Sequence, residues 1–191
     1  MLVFKKKYYL FVENTREFNF NLIKIRKKFN IIYRNQATTE KIEDIKNFRN
    51  DCKKSSVNFY IANNIKLLSK IKADGLYISA NNNNLLLNGY SQKGFKIIGA
   101  AHNQKEIDLK LKQGCEEIIF SRLFETQYPF KKGHLGIQKF NIISLRTRVE
   151  LVPLGGINEK NLNKMNTVMS GSFACLSAIK KKPAKIINRL F

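Results

Sequence analysis

The chain has no tryptophan, only two histidines and three cysteines, and 14 acidic residues against 35 basic ones. Each scarcity excludes something. Cys52, Cys115 and Cys175 are odd in number, far apart and set in or beside apolar segments, so a disulfide framework is not expected. They read as reduced, buried side chains of a cytoplasmic protein. Without a close Cys/His cluster there is no structural zinc spacing. The stretch Met1 to Leu10 is basic but carries no long apolar run and no small-residue cleavage site, so neither export nor membrane spanning is expected.

The shortage of acid leaves a formal charge of +21. A basic stripe would point to nucleic acid, but lysine outnumbers arginine 27 to 8 and both are dispersed among 22 asparagines. Bidentate phosphate or base recognition favours arginine clustered on one element. No helix-turn-helix, zinc-finger spacing or RNA-recognition aromatic pair can be placed, so no nucleic-acid partner is expected. What is present suffices for an interior: 43% hydrophobic residues, with 14 Phe and seven Tyr among them. One domain over residues 1–191 is predicted.

Its organisation is a repeated alternation of short β-branched or aromatic runs with helical segments. The runs are Tyr8 to Val12, Asn30 to Arg34, Val57 to Ile61, Gly75 to Ser79, Phe95 to Gly99, Glu117 to Ser121, Val149 to Pro153 and Val168 to Leu176. Eight successive β/α units with right-handed crossovers close into a parallel (β/α)₈ barrel, the TIM-barrel architecture. The first run leads into Glu13-Asn14-Thr15 and not into a glycine-rich loop, which argues against an open dinucleotide-binding sheet. Asn103 with Glu106 three positions on predicts a capped helix with Ile107, Leu109 and Leu111 on its apolar side and Gly114 beyond its end. Thr39 stands in a similar relation to Ile42, Ile45 and Phe48. Asn158 is expected to cap a short helix through Leu162, and Ser177 to start a last one over Ala178 to Leu190. Asn81 to Tyr90 reads as a loop with at most a short helix, and Gln127 to Leu135 as a long basic loop.

In such a barrel the chemistry lies at the carboxyl ends of the strands. Gly155-Gly156 at the end of the seventh run, with Ser177-Ala178 at the end of the eighth, predicts a phosphate-binding corner built from main-chain amides. Arg34 places a permanent cation at the end of the second run. Asn63 and Asn82 are amides that can orient a ligand, though weaker Mg²⁺ ligands than carboxylates. His102 is a ligand-contact candidate after the fifth run. Arg122, Glu125 and Thr126 share the loop after the sixth, where Glu125 is the nearest proton-transfer candidate, and His134 reaches the site if that loop closes.

The ordered set Arg34, Ala73-Asp74-Gly75, Phe124-Glu125-Thr126, Gly155-Gly156-Ile157 and Ser177-Ala178-Ile179 resembles the thiamine phosphate synthase family, which includes the thiazole tautomerases. The resemblance implies a barrel enzyme that joins a pyrimidine methyl pyrophosphate to thiazole phosphate, with Mg²⁺ assisting pyrophosphate departure. It implies Mg²⁺ held at Asn63 and Asn82, where amides stand in place of the family's aspartates. Tyr77 falls where the family has a histidine, Ile32 and Gln36 where it has glutamine and lysine, and Ala62 where it has asparagine. The tautomerase branch carries the same Phe-Glu-Thr before a lysine-rich stretch, here Lys131-Lys132-Gly133, and its proton-transfer histidine aligns with Arg122. A thiazole-phosphate binder without catalysis is the third expectation. The implied partners are a phosphorylated small molecule and a second copy of the chain.

Overall fold

Parallel strands covered on both faces need short, continuous apolar runs. In the computed structural model, which describes residues 7–18, 20, 26–35, 40–126 and 133–175, all eight runs become strands. They are β1 (Lys7–Val12), β2 (Phe29–Tyr33), β3 (Asn58–Ala62), β4 (Gly75–Ile78), β5 (Lys96–Ala101), β6 (Glu117–Ser121), β7 (Glu150–Leu154) and β8 (Ser172–Cys175). Each pairs in parallel with its sequence neighbour, and β1 pairs with β8, closing the barrel. Between them lie α1 (Ile42–Lys54), α2 (Ile65–Ile71), α3 (Asn88–Gln92), α4 (Gln104–Lys112) and α5 (Gly136–Arg146). Among the described residues no helix is long and apolar enough to cross a membrane.

The two-residue alternation of a strand divides the core in two. Tyr8, Leu10 and Val12 of β1 face outward into the layer between sheet and helices, while Tyr9 and Phe11 face the barrel axis. The axial cluster adds Ile32, Tyr60, Tyr77, Ile98, Ile119 and Val152, so the interior is filled rather than hollow. Its floor is polar: Asn58 donates to Asn30 at 2.8 Å, and Glu117 accepts from both Lys7 Nζ and the Tyr9 hydroxyl. The upper layer is small, with Ala62, Ala100 and Ala174 leaving room at the carboxyl-end rim.

Asp74, in the Ala73-Asp74-Gly75 signature, sits at the amino end of β4, away from that rim. Its carboxylate accepts from Phe59 N at 2.8 Å and from Arg49 Nη2 of α1 at 2.7 Å, and its own N–H donates to Phe59 O at 2.9 Å. The motif is therefore a structural clip joining α1, β3 and β4. Asp74→Ala strands the Arg49 guanidinium, which is nearly buried, and is expected to cost about 2–3 kcal/mol, a fall readable in the urea midpoint.

Several local expectations hold and others are corrected. Asn103 caps α4, its Oδ1 accepting from Glu106 N at 3.0 Å. The buried stripe of α4, however, is Ile107 and Lys110, with Leu109 and Leu111 only half-buried. Helix α1 begins after Lys41 with no side-chain cap, and Thr39 lies outside the described residues. Asn158 starts a turn, its Oδ1 accepting from Lys160 N at 2.9 Å, and helical structure comes later as the 3₁₀ segment Leu162–Thr167. With Asn161 also bonding Gly156 O at 2.7 Å, the asparagines close the loop on the glycine turn and do not launch a helix. All three cysteines are free and buried, and burial pushes the Cys115 thiol up to about 12.

Candidate functional site

Because every strand is parallel, all the carboxyl ends meet at one rim, and the side chains there continue the inward rows of the barrel. Arg34 extends the row of Ile32, Ser79 that of Tyr77, His102 that of Ala100 and Ser121 that of Ile119. The structure gathers the candidates of the rim into two groups.

The first spans β2 to β4. Arg34 N donates to Val12 O at 2.9 Å, which fixes the residue where β2 leaves the sheet, and its guanidinium donates to the Tyr77 hydroxyl. Burial pushes the Tyr77 phenol up to about 12, with the charge and hydrogen bond of Arg34 working in the opposite direction. Tyr77 also packs edge-on against Phe11 at 5.4 Å, which braces the ring whose hydroxyl meets the guanidinium. Beside it, Asn63 Oδ1 accepts from Ser79 N and from Asn82 Nδ2, both at 3.1 Å, while Asn63 Nδ2 donates to Ser79 Oγ at 2.9 Å.

The second group spans β5 to β7. His102 Nδ1 lies 2.8 Å from Ser121 Oγ, and Arg122 Nη1 donates to Thr126 Oγ1 at 3.1 Å. Leu123 N and Phe124 N donate to Leu154 O and Gly155 O at 2.9 and 3.0 Å, and Leu135 N donates to Arg122 O at 2.9 Å. Gly155 and Gly156 have φ of +103° and +68°, the left-handed range. A Cβ on Gly156 would stand 2.3 Å from Glu125 O, so this glycine is required for the β7 turn to pack against the β6 loop. The adjoining end of β8 is held by Cys175 Sγ, 3.9 Å from Ile157 O. Ser177 and Ala178, like Gln36, Lys131 and Lys132, lie outside the described residues.

Glu125 and His134 are both solvent-exposed, unlike Arg122 and Thr126, which are half-buried. Sequence reading missed three contacts. One is the His102 to Ser121 pair, set by the register of β5 on β6. Another is Glu40, which accepts from Thr15 N at 3.0 Å, from Thr15 Oγ1 at 2.6 Å and from the Tyr33 hydroxyl at 2.5 Å. Burial pushes the Glu40 carboxyl up, but these hydrogen bonds outweigh it and hold it below its ordinary value. It borders an outer crevice of about 250 Å³ with Asn35, Ala62 and Asn64. The third is Lys110, buried in α4, whose position three residues after Ile107 was the available signal.

Mg²⁺ favours charged oxygens with open lone pairs. At the rim the Asn63 oxygen already accepts two hydrogen bonds, and the Asn82 oxygen accepts from Asn84 N at 3.0 Å. The two amides as placed do not fit a divalent ion.

Comparison with known proteins gives a consistent picture. The family model described as thiamine monophosphate synthase matches residues 5–179. A thiamine-phosphate synthase of Prochlorococcus marinus is 28% identical over 78% of this chain, and the chain spans 44% of that relative's length. The one of Clostridium perfringens is 24% identical over 82% of this chain and 79% of its own. Among solved structures, a thiamine phosphate pyrophosphorylase of Pyrococcus furiosus superposes with a TM-score of 0.72 at 16% identity, covering 97% of both chains. A 3-keto-L-gulonate-6-phosphate decarboxylase of Vibrio cholerae superposes with a TM-score of 0.67 at 12% identity, over 98% of this chain and 99% of its own. These structural likenesses share the barrel fold.

Proposed function

The chain belongs to the thiamine monophosphate synthase family, and on that premise we propose that it is a divergent synthase-type protein that takes a pyrimidine methyl pyrophosphate and a thiazole phosphate at one rim. The observation that carries the reading is the division of the rim into two cationic groups. Arg34, bonded to the Tyr77 hydroxyl, suits the pyrophosphate, and Arg122 with Thr126 beside the Gly155-Gly156 turn suits the phosphate monoester. Two anionic substrates require two such places, held apart by the barrel mouth.

In the reaction, the carbon–oxygen bond between the pyrimidine methylene and pyrophosphate breaks with the electron pair leaving on oxygen. The thiazole nitrogen then donates its pair to the methylene carbon, giving thiamine phosphate and inorganic pyrophosphate. Arg34 would neutralise charge that grows on the departing oxygen, the kind of differential stabilisation that lowers a barrier. No step is assigned to a metal at Asn63 and Asn82.

The test is direct. Purified protein supplied with both substrates is expected to form thiamine phosphate, detected by mass spectrometry against a protein-free control. Arg34→Met is expected to weaken binding of inorganic pyrophosphate by about 10- to 100-fold, the worth of a charge-assisted contact, while leaving thiazole phosphate binding unchanged. Equal loss for both ligands would refute the two-place division. Because the amide pair does not suit Mg²⁺, a binding protein without turnover is the second reading. It is favoured if both ligands raise the melting temperature and no coupled product forms.

A further inference from the structure

Asn63 and Asn82 lie on different β/α units and are bonded directly to each other. Their orientations are set by backbone donors: Ser79 N requires an oxygen from Asn63, and Asn84 N requires one from Asn82. With both flips fixed, Asn82 Nδ2 necessarily points at Asn63 Oδ1, 3.1 Å away. Asn63 itself is held at φ +55°, a left-handed conformation that asparagine tolerates better than most residues, with its N–H on Tyr77 O at 2.9 Å. The cross-link is complementary, since one amide donates and the other accepts.

Behind the same loop stands a full positive charge. Lys110 Nζ is wholly buried and donates to Asn82 O at 2.8 Å, Gln113 Oε1 at 2.9 Å and Ala80 O at 3.4 Å. Gln113 Nε2 donates in turn to Asn82 O at 2.9 Å and Asn84 O at 3.1 Å. The lysine stem reaches this position across Gly99, where a Cβ would stand 2.9 Å from Lys110 Cγ. An ammonium with oxygens converging on it does for the loop what a small hard cation does in a coordination shell: it gathers carbonyl oxygens that otherwise repel.

We propose that the hydrogen bond from the Asn82 amide to the Asn63 amide and the Lys110 ammonium together take the structural place of a divalent cation at this rim, so that the loop after β4 is assembled without an ion. The proposal concerns the loop alone and does not rest on the ligands proposed above; its test uses no organic ligand, so either can fail separately.

The wild-type protein is expected to melt at the same temperature in EDTA and in millimolar Mg²⁺, and to leave the electron paramagnetic resonance signal of Mn²⁺ free. In the double variant Asn63→Asp/Asn82→Asp the hydrogen-bonded amide pair becomes a pair of carboxylates at the same spacing. Like charges so close demand a counter-ion. That variant is expected to lose about 4 °C or more in EDTA, to regain it with Mg²⁺, and to bind Mn²⁺ saturably. Saturable Mn²⁺ binding by the wild type that Asn63→Ala abolishes would overturn the proposal, and so would a double variant that folds and ignores Mg²⁺. Should the double variant not fold in either condition, the wild-type Mn²⁺ measurement decides alone.

Discussion

Gly75→Ala is expected to abolish the folded barrel, with a cost above about 4 kcal/mol, comparable to the whole stability of many domains. The reason lies in where β4 begins. A Cβ on Gly75 would stand 2.2 Å from Lys96 O and 2.7 and 2.8 Å from two ring atoms of Tyr60. The ring belongs to the axial core, and the carbonyl to the neighbouring strand, to which Gly75 is paired in register with Lys96. A side chain can swing away from a clash, but the backbone oxygen cannot move without breaking the β4 to β5 ladder. Shortening the ring therefore should not rescue the variant: Gly75→Ala/Tyr60→Ala is expected to be as unstable, because the 2.2 Å contact persists and a cavity is added. Soluble yield, circular dichroism and a urea midpoint read the result. A Gly75→Ala protein melting within about 1 kcal/mol of wild type would show that β4 and β5 do not pair in this register.

The same residue shows how a signature can be legible in sequence while its meaning is not. Ala73-Asp74-Gly75 is one piece of the ordered set that resembles the family, yet Asp74 clips α1 to β3 and β4, and Gly75 makes space for an aromatic ring. Neither reaches the rim where chemistry is expected. All eight strands were readable because a strand buried on both faces shows itself as a brief apolar run, whatever it pairs with. Positions at strand ends were readable for the same reason, which is why Arg34, Asn63, His102, Arg122 and Gly155 could be named in advance as residues of one rim.

Partnership between those positions was not readable. Whether Asn63 meets Asn82 depends on the register of β3 against β4, and whether His102 meets Ser121 on that of β5 against β6. A sequence states the order of strands around a barrel but not the stagger between neighbours. Glu40 escaped notice because its partner Thr15 is 25 residues away, across a segment with no periodicity of its own. The run of asparagines reads as a loop with at most a short helix and is one, leading into α3; what the reading does not supply is its internal bonding, in which Asn82 accepts from Asn84 N and Asn84 from Leu86 N, each at 3.0 Å. Asparagine competes with regular structure by making such short-range bonds, and here they organise the turn itself.

Lys110→Met is expected to cost about 3 kcal/mol and to loosen one segment selectively. Methionine can follow the lysine stem past Gly99, so little packing is lost; what disappears is the donor for Ala80 O, Asn82 O and Gln113 Oε1. Burial lowers the Lys110 pKa, a sign that the charge is held at a desolvation cost which its acceptors must offset. Removing the lysine also removes that cost. The loss nonetheless dominates, because the carbonyl oxygens remain where water reaches them poorly. Gln113 keeps its own bonds to Asn82 O and Asn84 O, so the loop is weakened but not released. Amide exchange should therefore accelerate over residues 80–87 by more than the global destabilisation accounts for, while the amides of β1 and β2 follow the global value. Uniform acceleration across the barrel would make Lys110 a general packing residue and remove its special hold on the loop.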